Sequence, residues 1–245
     1  MQRYKIKVEY DGTPFVGWQF QKNGQSVQEV LKNAIFDLSK EKVVVTGAGR
    51  TDSGVHALAQ IAHFDLKKKI EEKKLLPALN QCIGNKHIAI LDIKKVNKRF
   101  HSRFSAKKRT YEYIIINRQS PLVLEKNKAW HIRKKLDTKV MKKGAKLLLG
   151  THDFSTFRAS SCGAKSPIKT IEKILIKKNK DKISLQFTSR SFLQQQVRSM
   201  VGCIKYLGEG KWNLDTFKKS FKSKNRAKCA PPAPACGLYL KKISY

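Results

Sequence analysis

The chain has 245 residues with 52 Lys+Arg against 18 Asp+Glu, a formal charge of +34 that far exceeds what solubility needs and makes a polyanion the first partner to expect. The excess is carried by 41 lysines and only 11 arginines, so it points to nucleic acid without saying where that partner binds. Cys82, Cys162, Cys203, Cys229 and Cys236 form no C-x-x-C pair and have no histidine at ligand spacing, which argues against a zinc site or a disulfide framework and for reduced thiols.

No apolar run approaches the length that crosses a bilayer, and the N-terminal residues go straight into a strand pattern with no signal-peptide core. A soluble, cytoplasmic protein is expected. The length allows one large domain or two of about 120 residues, either with a real core.

Gln2 to Tyr10 alternates apolar Tyr4, Ile6, Val8 and Tyr10 with polar residues, which predicts a half-buried strand ended by Asp11-Gly12-Thr13-Pro14. Gly17-Trp18-Gln19 lies in an aromatic, amide-rich loop able to face a core or a base. Ser26 and Glu29 make a capping box that opens a helix through Val30, Leu31, Ile35 and Leu38. Val43 to Thr46 reads as a short buried strand running into Gly47-Ala-Gly-Arg-Thr-Asp-Ser-Gly-Val-His56. Three glycines there let the backbone turn tightly and a ligand come close, with Arg50 and Asp52 projecting from a frame of little freedom. A turn aspartate also commonly bonds a turn amide, so on its own Asp52 has both readings.

Ala57 to Leu66 predicts a returning strand, Glu71 to Ile83 a helix and His87 to Val96 another strand. The order strand, helix, strand, strand, helix, strand is that of a ferredoxin-like split βαβ unit. A basic, aromatic connector follows, Asn97 to Lys108, and then a second unit begins. Arg109 to Asn117 reads as a strand with Tyr111 and Tyr113 on one face, suited to half-burial or to stacking on bases. Asp137 is a candidate N-cap for a helix over Val140 to Leu149. Ile168 to Ile176 and Ile183 to Thr188 read as a strand pair, Phe192 to Leu207 and Leu214 to Phe221 as helices, and Gly237 to Ile243 as a last strand.

The expected fold is therefore α/β of the α+β type, with two similar ferredoxin-like or RNP-like sandwich subdomains, 1–105 and 106–245, and mainly antiparallel sheets. Phe192, Leu193, Val197, Met200 and Val201 form an apolar stripe with Arg198 beside it, one helix turn from Gln194. A guanidinium next to a buried face needs an anion.

Taken together, Glu9-Tyr-Asp-Gly12, Gly17-Trp-Gln19, Gly47 to Ala57, Phe100-His-Ser-Arg-Phe-Ser-Ala106, Lys108-Arg-Thr-Tyr-Glu-Tyr113, Gly150-Thr-His-Asp-Phe154, Phe192 to Gly202 and Ala233 to Leu240 give the chain a resemblance, nearly end to end, to the bacterial tRNA pseudouridine synthase A family. The resemblance implies isomerisation of uridine at positions 38, 39 and 40 of the tRNA anticodon stem-loop by a homodimer that uses no metal and no organic cofactor. It also implies two α/β subdomains around a central active cleft. Residue by residue, it implies that Asp52 is the catalytic aspartate and that Arg50 helps hold the nucleotide out of its stack. Tyr111 would be the ring packed on the target base, Arg198 the arginine paired with the aspartate, and Leu238 an apolar wall of the pocket. The sequence departs from the family at Gln194 to Gln196, where some members carry histidine or asparagine, and at His101, where alanine is common. A non-catalytic RNA-binding module and a synthase with other RNA targets are the two competing readings.

Overall fold

The period of two in Gln2 to Tyr10 is used as written: in β1 (Gln2–Tyr10) the side chains of Tyr4, Ile6, Val8 and Tyr10 are buried on one face. The computed structural model describes residues 1–84 and 87–245, and these divide into Met1–Lys107 with Tyr239–Tyr245 as one unit and Lys108–Leu238 as the other.

In the first unit, α1 (Val27–Ser39) starts at Ser26, whose Oγ accepts the Glu29 amide at 3.2 Å while Glu29 Oε2 accepts the Ser26 amide at 3.5 Å. Such a cap is worth about 1 kcal/mol. Val27, Val30, Leu31, Ala34 and Ile35 face inward. The next strand, β2, is only Thr46–Gly47, shorter than the predicted run from Val43. Val43 and Val45 are buried and Val44 is 79% exposed, so the alternation of a strand is present. However, the Val45 carbonyl is taken by Gln28 Nε2 at 2.7 Å rather than by a neighbouring strand.

The chain returns in β3 (His56–Leu66), passes through α2 (Glu72–Ile83) and comes back in β4 (Ile88–Val96). Asn80 ties helix to strand, its amide and carbonyl bonding both backbone groups of Ile90 at 2.9 and 2.8 Å. Strand order is β4, β1, β3, β2, all antiparallel.

The second unit opens with β5 (Lys108–Asn117), against which β6 (Trp130–Ile132) runs parallel. Asp137 caps α3 (Thr138–Lys146), accepting the amides of Lys139 and Val140 at 2.8 and 3.2 Å. Then follow β7 (Gly150–Asp153), β8 (Ile168–Asn179), β9 (Lys182–Ser189), α4 (Gln196–Gly208) and α5 (Leu214–Lys222). The antiparallel order β5, β9, β8, β7 matches the first unit in one respect. In each, the opening strand lies beside the third long one; the second long strand pairs with the opening strand in the first unit (β3 on β1) and with the third in the second unit (β8 on β9). Met141, Leu185, Phe187, Met200, Ile204 and Phe217 are buried here, each worth about 1.5 to 3 kcal/mol relative to exposure.

The closing strand, β10 (Leu238–Ser244), departs from the expected division at 106–245. From Tyr239 on it belongs with the first unit, because Tyr239 and Leu240 pair parallel with His56 and Ala57 of β3. The Tyr245 hydroxyl donates to the Ser102 carbonyl at 2.7 Å.

One buried group in β3 makes stability depend on pH. His63 Nδ1 accepts the Ser102 amide at 3.2 Å, and Ser102 Oγ in turn donates to the Thr46 carbonyl at 2.7 Å. Burial first, then the charges of Arg3 and His101, lowers His63 from 6.5 to about 4. Between those two values the unfolded chain holds a proton that the folded chain refuses, so folding weakens as pH falls through that window. Urea midpoints measured from pH 7 down to 4 are expected to drop, and His63→Gln is expected to flatten the slope. An equally steep profile in that variant would remove His63 from the account.

Candidate active site

The loop between β2 and β3 is held by bonds from three neighbouring segments. The Ala48 amide donates to the Ile61 carbonyl at 2.8 Å, and Gln60 Nε2 donates to the Gly49 carbonyl at 2.7 Å. Tyr10 and Thr51 hydroxyls bond at 2.7 Å, and the Trp18 amide donates to the Thr51 carbonyl at 3.1 Å. Gly17 and Asp52 form an isolated antiparallel bridge. Gly17 has φ +117°, and a Cβ there would stand 2.6 Å from the Thr51 oxygen, so only glycine lets this segment lie against the loop. The outcome is a fixed backbone with Asp52 half-buried and Arg50 exposed.

Trp18, read from the sequence as facing core or base, is 3% exposed and belongs to the core, tilted against Tyr10 at 6.2 Å. At the far end of the loop His56 is buried. Its Nδ1 accepts the Gly12 amide at 3.0 Å, and its ring stacks on Tyr239 at 4.7 Å. The loop is therefore clamped at both ends.

In the second unit Tyr111 lies on β5 opposite Phe187, and its ring meets Phe192 edge-on at 5.3 Å. Tyr113, two residues along the same face, is fully buried, and its hydroxyl donates to the Pro234 carbonyl at 2.7 Å. Burial, then Cys236, pushes that hydroxyl above its ordinary range, against the opposing charge of Arg198. Tyr113 is therefore a core residue.

Arg198, on α4, clasps the segment before β10: its Nε donates to the Ala233 carbonyl at 2.7 Å and its own carbonyl accepts the Ala233 amide at 3.0 Å. Leu238, at the start of β10, is buried. The helix carrying Arg198 begins at Gln196, later than the predicted Phe192. Gln195 takes a left-handed φ of 58°, and Gln196 Oε1 accepts the Leu193 amide at 2.8 Å. That local capture competes with helix formation, so Gln194 lies outside the helix and is not one turn before Arg198.

The sequence profile of the tRNA pseudouridine synthase family matches residues 6–105 and 145–245. The chain belongs to that family. Curated relatives agree: tRNA pseudouridine synthase A of Pelagibacter ubique is 57% identical over 100% of both chains. The protein of the same name from Maricaulis maris is 46% identical over 100% of this chain and 98% of its own. That of Parvibaculum lavamentivorans is 45% identical over 100% of both.

For this member of the synthase family, the structure adds residues that the sequence reading passed over. Gln60 is fully buried and reaches back to Gly49, beside Arg50. A glutamine inside the otherwise apolar run Ala57 to Ala62 of β3 was the available signal, since a buried amide calls for a hydrogen-bond partner. Thr51 and Tyr10 form the other hidden contact, a buried hydroxyl pair directly before Asp52.

Proposed function

We propose that the protein converts uridine to pseudouridine at positions 38, 39 and 40 of the tRNA anticodon stem-loop, as a cytoplasmic homodimer. The observation that supports this best is Asp52 carried on a clamped loop in a chain of the tRNA pseudouridine synthase family.

The reaction breaks the C1′–N1 bond, turns the uracil and forms the C1′–C5 bond, with a proton lost from C5 and one gained at N1. All the atoms come from the substrate. What the protein has to supply is an ionised carboxylate, either as nucleophile or as base toward the sugar, and a site from which free uracil cannot leave. Asp52 takes the carboxylate role in this reading. Arg198 is the cation that this reading assigns to it.

A base inside a stem must first be extruded, at a cost of a few kcal/mol. Stacking on Tyr111 offsets about 1 to 3 kcal/mol of that, with Arg50 bracing the vacated position and Leu238 giving an apolar wall. Lysines then add affinity through phosphates without reading sequence.

The test is to incubate purified protein with unmodified tRNA and map pseudouridine by position. Wild type is expected to modify positions 38, 39 and 40, and Asp52→Ala none. Product only at other positions would leave the family and overturn the target assignment.

A further inference from the structure

The basic, aromatic connector of the sequence has no part in the proposed reaction, yet side chains from several positions brace it. Arg3 holds it from below, with Nη1 donating to the carbonyls of Lys98 and Phe100, both at 2.7 Å, while Nε and Nη2 bond Asp65 at 2.8 and 2.7 Å. Ser102 is buried and donates to Thr46, in the strand that leads into the Asp52 loop. His101 Nδ1 accepts the amides of Arg103 and Phe104 at 3.2 and 3.3 Å.

All of this fixes a side chain that the core does not use. Phe104 is 74% exposed. Its ring lies at 4.4 Å and 32° from the His101 ring, and the Arg103 guanidinium is 5.7 Å from its centroid. A lone exposed phenylalanine is unremarked on most surfaces. One held on a rigid turn, backed by a second ring and flanked by exposed Lys98, Arg99, Arg103 and Lys107, has the composition of a nucleobase platform: an aromatic face for stacking and cations for the adjoining phosphates.

We propose that Phe104, backed by His101, stacks on an unpaired base of the bound tRNA, with Arg103 at the neighbouring phosphate. This rests on the reading of the chain as a tRNA-binding synthase. It assigns the connector to binding and not to the isomerisation step. The charge of +34 favours a polyanion as occupant over a second protein surface of the same sign.

The test compares tRNA affinity and pseudouridine turnover for wild type, Phe104→Ala, Phe104→Tyr and Arg103→Gln. Because Phe104 is exposed, its replacement leaves the core intact. Phe104→Ala is expected to raise Kd about tenfold with an unchanged salt slope and unchanged turnover at saturating tRNA. Phe104→Tyr is expected to restore affinity, and Arg103→Gln to lower the salt slope by about one. Equal Kd for wild type and Phe104→Ala would overturn the platform. So would a shift from dimer to monomer by sedimentation at unchanged tRNA affinity, which would make the patch a protein contact. Absence of pseudouridine from the wild-type reaction would count against the synthase reading alone, because the binding comparison does not depend on turnover.

Discussion

Asp52→Asn is expected to bind tRNA within about twofold of wild type and to lose pseudouridine formation by at least about a thousandfold, the scale of removing a group that acts directly in proton transfer or bond formation. Asparagine keeps the size of the side chain, and the backbone bonds at this position do not depend on the carboxylate. The bridge to Gly17 and the Val55 amide donating to the Asp52 carbonyl at 3.1 Å both remain. Only the charge is removed. Turnover is read by single-turnover tritium release from C5-labelled tRNA, and affinity by filter binding on the same preparation. A variant with near-normal turnover would return Asp52 to the role of an ordinary turn residue.

The second large effect is structural. Gly12→Ala would place a Cβ 2.1 Å from the Val55 carbonyl oxygen and 2.5 Å from its carbon, a clash with backbone that no rotamer change relieves. Overpacking of this kind costs about 1 to 3 kcal/mol, and here it pushes on the segment that places Asp52. The Gly12 amide also donates to His56 Nδ1, so displacement would disturb the far end of the loop as well. For a chain of this size each kcal/mol lowers Tm by about 2 to 4 °C, so a fall of about 5 °C with reduced turnover is expected in a thermal melt and a rate assay. A wild-type Tm would show that the Asp11–Gly12 turn can move away from Val55 freely.

Both outcomes concern a loop whose tight backbone was legible in the sequence, and the reason is local. Glycine spacing, Arg50 and Asp52 all lie within ten positions, and the capping residues Ser26 and Asp137 likewise act within three or four residues of themselves. Features set by distant partners were not legible. The start of the Arg198 helix was misplaced for a local reason instead: periodicity extends it back to Phe192 and does not register the capture of the Leu193 amide by Gln196 Oε1 or the left-handed Gln195. The Val43 to Thr46 strand met a competitor in Gln28, at the start of α1 and 17 residues before Val45. Gln60 acquires its purpose only when Gly49 is folded beside it. For the same reason alternation on β5 left the role of Tyr113 open, since Pro234 and not the strand decides that it is core.

The pairing of Tyr239 and Leu240 with His56 and Ala57 has a consequence for biosynthesis. The strand that covers this part of β3 is translated only after the whole of Lys108–Leu238 has emerged. During that interval the edge of β3 next to His56 is bare, and an uncovered edge is a template for mispairing between nascent chains. The ring of Tyr239 that stacks on His56 arrives late as well, so the Asp52 loop gains its second clamp only after Lys108–Leu238 has been made.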